Sequence, residues 1–330
     1  MISVQDQYFN LNRILLLIVG LWPYQNSKLA RFQFFCFFSI VITFIIFQFT
    51  TFITSKCTAN FVIKVLSLVC IFICIIIKYY SFCINSETVR NLIEELQRIY
   101  NDLEDGNEIA IIEKYGRNAK YYTATLTRFV VLVATGSTFI AYFQYMCAMF
   151  TIASYRIENA IKIQISHNII KHNKNLIHKS IKSAVDIHRK AIALCIDLIS
   201  KFEMSFFFLI IFGVMTLSLN MFRIVSSTCN TDELSLSFIV GFISLLYMFI
   251  ANLVGQEITD HYNYIYVAAY KIRWYIAPPY IQKLILILLQ RGNKNFGLNI
   301  GGLYIASIQC FTTLANTSLS YFTVMYSVRQ

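Results

Sequence analysis

The chain has little charge, little glycine and proline, and none of the common catalytic motifs. Asp, Glu, Lys and Arg make up only 14% of its 330 residues, whereas soluble domains average about 25%. This scarcity excludes an ordinary soluble globular domain. With 11 glycines and 3 prolines, the sequence also lacks the composition of long flexible linkers. We therefore predict one membrane domain that covers residues 1–330.

The missing motifs exclude whole classes of chemistry. The patterns HExxH and GxSxG and a phosphate-binding loop are absent from the sequence. Nine cysteines include no CxxC pair, which argues against a zinc site and a disulfide framework. Four histidines in one loop follow one another at gaps of 5, 6 and 10 residues, whereas metal ligands on a helix favour i, i+4 spacing. We predict that the chain is not an enzyme and holds no metal or cofactor.

Basic residues exceed acidic ones, 28 to 17, which gives a formal net charge of +11. A nucleic-acid partner would bring a zinc-ligand set or an RNA-binding signature, and the sequence has neither. The basic residues lie instead in loops beside long apolar segments, where anionic lipid headgroups attract Lys and Arg. Membrane lipid is therefore the expected partner of this charge, and nucleic acid is not expected.

Six long apolar runs are the main positive feature of the sequence. Each is long enough to cross a bilayer, since a spanning helix needs about 20 apolar residues. A helix also satisfies its own backbone N–H and C=O groups in hydrocarbon, where water is missing. The sequence therefore predicts an all-α polytopic membrane protein with six apparent spans. The six runs are Gln33–Ile53, Phe61–Ile84, Phe129–Tyr155, Met204–Phe222, Leu234–Gln256 and Asn295–Val328.

The basic residues of the loops indicate the orientation, because Lys and Arg concentrate on the cytoplasmic side. The N-terminal segment is basic and the first loop is nearly free of charge, which predicts a cytoplasmic N-terminus. A conflict arises at Phe129–Tyr155, because the basic loops on both of its sides look cytoplasmic and the second of them carries nine basic residues. Two loops on the same side of the membrane need an even number of crossings between them, so one crossing is missing here. The segment is a fused remnant of two helices, which we favour, or one true span with the basic loop outside, or a re-entrant hairpin.

The loops expected on the cytoplasmic side are predicted to be helical. Acidic and basic side chains between residues 87 and 98 fall at i, i+3 and i+4 spacings, which support an exposed helix, and a second helix starts near Asn107. We divide the domain into a cytoplasmic N-terminal segment with an interfacial helix (1–32), spans one to five with long cytoplasmic helices (33–255), and further cytoplasmic helices with the last span (256–330).

The spans contain almost no ionisable side chains. Lys64 and Lys78 lie near the ends of the second span, where their ammonium groups can extend to the headgroups. The last span carries a series of hydroxyl and amide side chains between Gln309 and Ser327, which suits either a water-filled path or hydrogen bonds between packed helices. The third run is rich in aromatic residues, which suits either an apolar cavity or ordinary core packing.

Several short segments together resemble the insect odorant receptor family. Their order and spacing carry the resemblance over nearly the whole chain. The segments are Asn12-Arg13 with Gly20–Tyr24, Tyr155–Glu158, His188 with Glu203, Trp274-Tyr275 before Pro278, and Thr317–Thr323. The resemblance implies a seven-helix, odorant-gated, non-selective cation channel. Such a channel takes a small apolar volatile ligand and forms a heterotetramer with a shared co-receptor in the plasma membrane of a sensory neuron dendrite.

The resemblance also assigns roles to residues. It places the pore along the last helix, the odorant pocket among the second, third, fourth and sixth helices, and an anchor that holds the subunits together in the cytoplasmic helices. The expected pore-lining residues are Ser320, Tyr321, Phe322, Val324 and Met325. The expected ligand-binding residues are Phe139, Tyr142 and Phe143. The expected anchor residues are Trp274, Tyr275, Leu284 and Leu288.

The chain departs from the family where the charge count fails. Leu126–Tyr142 resembles the third helix and Tyr145–Glu158 resembles the end of the fourth, so the outer loop and about half of each helix are missing. We expect an internally shortened receptor subunit that has lost walls of the odorant pocket and whose last three helices are at risk of inverted insertion. The alternatives are a gustatory-type receptor channel and a non-functional truncated isoform, with a solute transporter as a more distant one.

Overall fold

The computed structural model describes residues 10–25, 28–54, 59–103, 105–126, 130–166, 173–226, 231–271, 275, 279–292 and 296–329. In these ranges the chain forms ten helices and one two-stranded sheet, which confirms the predicted helical membrane fold apart from a short hairpin. The helices are α1 (Asn10–Val19), α2 (Lys28–Thr54), α3 (Ala59–Ile84), α4 (Ser86–Asn101), α5 (Gly106–Leu126), α6 (Val130–Ser166), α7 (Asn173–Ser226), α8 (Thr231–Lys271), α9 (Pro279–Gly292) and α10 (Ile308–Arg329).

A short β-hairpin precedes the last helix. Strands β1 (Asn299–Ile300) and β2 (Tyr304–Ile305) pair antiparallel. The turn between them contains Gly301 and Gly302 at φ of 64° and 69°, a left-handed conformation that glycine adopts without the steric cost of a Cβ. These glycines therefore allow the tight reversal from which the chain enters α10.

Four helices of the described ranges are long and apolar enough to cross a bilayer, and they are α2, α3, α7 and α8. The surface of α2 suits contact with lipid, because phenylalanines such as Phe35 and Phe47 are 67% and 62% exposed. A continuous apolar surface of this kind is stable against hydrocarbon rather than water. α2 runs antiparallel to α3, since Phe37 stacks on Tyr79 near one end and Phe44 contacts Phe72 further along.

Two hydrogen bonds fix the direction of α3 relative to α7. The Asn220 side-chain amide donates to Ser67 Oγ at 3.0 Å, and the Asn85 amide donates to the Lys201 carbonyl at 3.2 Å, just after the end of α3. The two helices therefore run antiparallel, and the part of α7 before Lys201 extends past α3. We call this extension, the part of α8 after Gln256, and α4, α5 and α6 the inner bundle.

α5 and α6 form an antiparallel pair in the inner bundle. Arg156 of α6 binds Glu108 near the start of α5, and Thr151 lies 3.1 Å from the hydroxyl of Tyr115, further along α5. α6 is a single continuous helix of 37 residues. The interpretation of residues 129–155 as a re-entrant hairpin is therefore wrong.

The surroundings of α6 differ from those of the spans. Every side chain from Ile140 to Phe150 is buried in protein. In the most apolar stretches of α2 and α3, only 6% and 28% of the residues are buried. Met146 contacts Cys195 and Phe150 contacts His188, both on α7 beyond the end of α3. An apolar run that is hydrophobic on all sides suits a buried core helix as well as a membrane span, so the crossing by this segment stays a prediction.

The start of α6 is not level with the end of α3 that lies farthest from the inner bundle, which we call the outer end of α3. Tyr247 of α8 contacts Lys78 of α3 and lies beside Gly136 of α6, so it marks one level in the three helices. α6 begins at Val130, about 9 Å along the helix axis from Gly136, whereas Phe61 of α3 lies about 26 Å along the axis from Lys78. α6 therefore begins far short of the outer end of α3.

The helices expected outside the spans are present. α4 has a polar face and buries Val89, Leu92, Ile93, Leu96 and Ile99 along the other. α1 packs at the inner end of the spans, where the Tyr79 hydroxyl donates to the Val19 carbonyl at 2.9 Å. The division of the chain at residues 32 and 255 stays a prediction.

Candidate functional site

α10, the predicted pore helix, packs on the rest of the chain through one face. Leu314 and Ser318 are 3% and 0% exposed, and Leu314 joins an apolar cluster with side chains of α7 and α8. The Ser218 hydroxyl of α7 lies 3.0 Å from the Ser318 carbonyl, to which it can donate. Small polar residues allow helices in a membrane to approach closely, so this contact positions α10 against α7.

The start of α10 is tied to α8. Ser307 is the N-cap, and its hydroxyl accepts a hydrogen bond from the Cys310 N–H at 3.1 Å. The Ser307 N–H donates to Asn252 Oδ1 at 3.2 Å. Ala306 lies so close to Gly255 of α8 that a Cβ added to Gly255 would stand 2.4 Å from the Ala306 Cβ. A displacement of α8 at this point therefore moves the start of α10.

The five predicted pore residues divide between two faces of α10. Ser320, Tyr321 and Val324 are exposed, with Tyr321 at 56% and Val324 at 59%. Phe322 and Met325 are partly buried. Met325 comes seven residues after Ser318 and therefore lies on the packed face. Ser320 and Val324, at i and i+4, share the open face, and the pore role of all five stays a prediction.

Seven serine and threonine hydroxyls of α10 are satisfied within the helix. Each donates to a backbone carbonyl three or four residues earlier, which leaves the oxygen free to accept a further hydrogen bond. An exposed face with such oxygens can contact water or a hydrated ion without burying charge. The residues are Thr312, Thr313, Thr317, Ser318, Ser320, Thr323 and Ser327.

The three predicted ligand-binding residues lie where the spans meet the inner bundle. Phe139 is half-buried, and its ring centroid lies 4.7 Å from that of Phe202 and 5.3 Å from that of Phe206. Tyr142 and Phe143 are 1% and 8% exposed and belong to the main core. These three residues are part of a packed aromatic core in this conformation, and their role in ligand binding stays a prediction.

A surface cleft of about 360 Å³ lies elsewhere, between α4 and α7 of the inner bundle. It carries both signs of charge, with Glu95 3.7 Å from Lys190 and 3.4 Å from Arg98. Pockets for small apolar molecules are lined mostly by hydrophobic and aromatic side chains. The cleft therefore does not suit the volatile ligand that the sequence predicts.

The predicted anchor residues fall on different surfaces. Leu288 is 5% exposed and Leu284 packs against the same core, so both make contacts within the chain. The adjacent pair Leu286–Ile287 on the other face of α9 is more than half exposed, and the sequence did not single it out. Tyr275 is 64% exposed, and Trp274 lies outside the described residues. The anchor role of the four stays a prediction.

The inner bundle contains a buried ion pair that sequence spacing did not reveal. Arg156 donates to both carboxylate oxygens of Glu108, from Nε at 2.5 Å and from Nη2 at 2.7 Å, and its Nη1 donates to Ser183 Oγ at 2.5 Å. The two charged side chains are 17% and 6% exposed. This pair holds α5, α6 and α7 together. Its members are 48 residues apart, so no local pattern could have identified it.

A second polar chain joins α5, α6 and α8. His261 Nδ1 donates to the Glu257 backbone carbonyl at 2.7 Å, and Nε2 contacts the Tyr115 hydroxyl. Tyr115 also lies 3.1 Å from Thr151 Oγ1, and Gln144 donates to the Glu257 carboxylate at 2.6 Å. Burial raises the pKa of the Tyr115 phenol, so the hydroxyl stays protonated and able to donate.

Lys78 does not extend toward the headgroups, and that prediction is wrong. Its side chain is 8% exposed, and Nζ lies 3.5 Å from the centroid of the Tyr247 ring. A cation over a tyrosine face is attracted by the ring quadrupole. The contact therefore joins α3 to α8 inside the span region.

Two solved structures share the fold. The insect olfactory receptor OR5 from Machilis hrabei in complex with eugenol matches with a TM-score of 0.79 and 14% identity, over 98% of this chain and 98% of that chain. A second structure of OR5 from Machilis hrabei matches with a TM-score of 0.78, at the same identity and coverage. Since the matched range runs nearly end to end in both chains, it does not locate the expected internal shortening, which stays a prediction.

The sequence comparisons concern the family rather than a single relative. No curated protein matches the sequence. The sequence profile of the family described as 7tm Odorant receptor matches residues 119–319, which is more than half of the chain. The matched range includes the inner bundle from α6 onward and the packed part of α10. The chain therefore belongs to the 7tm odorant receptor family.

Proposed function

We propose that the chain is a subunit of an odorant-gated, non-selective cation channel that works with a co-receptor in the plasma membrane. Family membership makes it a multi-pass membrane receptor and not an enzyme. The observation that carries the channel proposal is the open polar face of α10, on which the Ser320 and Thr323 hydroxyls donate to carbonyls of their own helix. In a closed ring of subunits, such faces can meet on the symmetry axis and line a water-filled path.

The proposed ligand is a small apolar molecule. OR5 from Machilis hrabei, which shares this fold, was solved in complex with eugenol. The aromatic rings around Phe139 offer apolar walls between α3, α6 and α7. A ligand that binds one position of α8 more tightly shifts the population toward it. The contacts of Asn252 with Ser307 and of Gly255 with Ala306 would pass that shift to α10.

Charge in the proposed pore is expected to reduce the current. Co-expression of the chain with a co-receptor should give odorant-evoked cation current, and Val324→Lys should lower it by about tenfold or more. Only about 1.4 kcal/mol of added barrier is needed for that loss, and a fixed cation on a pore-lining face repels permeant cations. Whole-cell recording with surface labelling measures both current and abundance.

Leu319→Lys is the matched control for the pore variant. Leu319 is 49% exposed, but its position five residues before Val324 turns it about 140° away around the helix. Equal losses in the two variants at normal surface abundance would count against a pore along this face. Current without any co-receptor would favour the gustatory-type alternative.

A shortened subunit that does not respond to odorants is the second candidate function. Tyr142 and Phe143 are closed into the core, and α6 begins far below the outer end of α3. The chain therefore offers fewer walls to a pocket in the outer half of the membrane. Normal surface abundance with no evoked current over a broad odorant panel would support this candidate over the first.

We further propose that the α5–α6 pair enters the membrane region from the cytoplasmic side and does not cross it. Five helices then cross, namely α2, α3, α7, α8 and α10. This arrangement places the basic N-terminal segment and the basic second, third and fifth loops on one side, as the charge rule requires. The charge conflict then reflects one predicted crossing too many, and the last three helices need no inversion.

Epitope tags in the loops are expected to report this topology. Tags inserted at residues 102–105 and 167–172 should both be hidden from antibody on intact cells, whereas a tag at 227–230 should be accessible. Permeabilisation should reveal the first two and so control for folding. Accessibility of the 167–172 tag on intact cells, with the 102–105 tag still hidden, would show that α6 crosses.

A further inference from the structure

Lys78 is a buried basic side chain inside a span. It is 8% exposed, and its Nζ has no hydrogen-bond acceptor among the residues that the structure describes. Three residues further along α3, the Ser81 hydroxyl is also buried and, within the same ranges, has no hydrogen-bond partner. Residues at i and i+3 lie on one side of a helix. Two polar groups without acceptors are therefore presented together at this level of the bundle.

The Tyr247 ring compensates the ammonium only in part. A cation over an aromatic face gains less than a charged group loses on leaving water for a hydrocarbon environment. An ammonium also carries three N–H donors, and one ring face cannot satisfy all of them. An anion that joins Lys78 would supply both the opposite charge and the missing acceptors.

The surroundings of Lys78 are aromatic. Gly136 allows Tyr247 to lie against α6, since a Cβ on this glycine would stand 3.3 Å from the Tyr247 ring. One turn further along α3, the Phe82 ring lies 5.8 Å from that of Phe139, one of the expected ligand-binding residues. A molecule beside Lys78 would therefore meet a positive charge next to apolar walls.

We propose that Lys78, assisted by Ser81, is the recognition group for the carboxylate of a small apolar acid. This proposal rests on the odorant receptor function and names the ligand class. A carboxylate can accept charge-assisted hydrogen bonds from the ammonium and a hydrogen bond from the hydroxyl at once, while its hydrocarbon tail packs on the Tyr247 and Phe139 rings. An alcohol of equal chain length brings no charge to Lys78 and binds more weakly.

Thermal unfolding of the purified full-length chain in detergent tests the proposal. Hexanoate is expected to raise the Tm in a concentration-dependent way, and 1-hexanol at equal concentration is expected to raise it less. Lys78→Gln should weaken hexanoate binding at least tenfold, whereas Lys78→Arg keeps the charge and should retain measurable binding. Lys64→Gln is the matched control, because Lys64 lies 14 residues before Lys78 on the same helix, about 21 Å along its axis, and its loss should leave hexanoate binding unchanged.

Three results would overturn the proposal. The first is an equal Tm shift from hexanoate in the unmodified chain and in Lys78→Gln. The second is a shift from 1-hexanol as large as that from hexanoate, which also decides the matter if Lys78→Gln fails to fold. The third is stabilisation by nanodiscs that contain phosphatidylserine without any effect of hexanoate, which would assign a lipid headgroup to Lys78.

Current recordings distinguish this proposal from the channel function. Responses to neutral odorants, with neither binding of hexanoate nor a response to it, would contradict the proposed ligand class and support the channel function. Binding of hexanoate through Lys78, with no evoked current in the presence of the co-receptor, would support the proposed ligand class and contradict the channel function.

Discussion

Arg156→Ala is expected to lower the free energy of unfolding by about 3–5 kcal/mol, the usual cost of breaking a buried ion pair. The loss is large because Glu108, at 6% side-chain exposure, would keep its charge in the protein without the two hydrogen bonds that now satisfy it. Ser183 would lose its guanidinium partner as well. Chemical unfolding of the purified chain in mild detergent, followed by circular dichroism, measures the change.

Two further variants separate the buried pair from ion pairs in general. Arg90→Ala removes an exposed partner of Glu94, with side chains 53% and 39% exposed, and should cost much less than Arg156→Ala, because solvent screens the pair. Replacement of both Arg156 and Glu108 by methionine should recover much of the loss, since no buried charge is left unpaired. A loss for Arg156→Ala no greater than that for Arg90→Ala would refute the structural role of the buried pair.

Gly255→Ala is expected to destabilise the contact between α8 and α10 by about 1–3 kcal/mol, the usual cost of overpacking. The new Cβ would stand 2.4 Å from the Ala306 Cβ and 2.8 Å from the Ala306 carbonyl oxygen. Because backbone lies on the far side of this contact, the hairpin and the start of α10 must move. We therefore expect a lower Tm together with an altered odorant-evoked current.

Gly241→Ala is the matched control within the same helix. Its new Cβ would meet only the Asn220 Cβ, at an ordinary 3.7 Å. Alanine is also the better helix former by about 1 kcal/mol, so this variant should be neutral or slightly stabilising. If Gly255→Ala behaved like Gly241→Ala in both Tm and current, close packing at Ala306 would not control α10.

Much of the fold could be predicted from local patterns. The helices that meet lipid, α2 and α3, contain long runs of apolar residues, and α4 alternates its charged and apolar faces at the helical period. The last predicted span, Asn295–Val328, contains most of α10, but its first part forms the hairpin, which was predicted only as a glycine-rich approach. Its two glycines are informative once the positive φ angles are known.

Residues 129–155 show where such patterns stop being informative. The side chains of α6 from Ile140 to Phe150 are buried, and Phe150 contacts both α7 and α8, but hydropathy does not distinguish burial in protein from contact with lipid. The contacts of Arg156 with Glu108 and of Tyr115 with His261 join residues 48 and 146 positions apart. Pairings of this kind depend on tertiary structure and leave no periodic trace in one sequence.

The length of α7 has a mechanical consequence. Its 54 residues form one uninterrupted helix, roughly 80 Å long at about 1.5 Å per residue. Ser183, near one end, touches Arg156, and Ser218, near the other, touches the carbonyl of Ser318. A stiff rod held at both places acts as a lever, so a partner that tilts its inner end also swings the far end against α10.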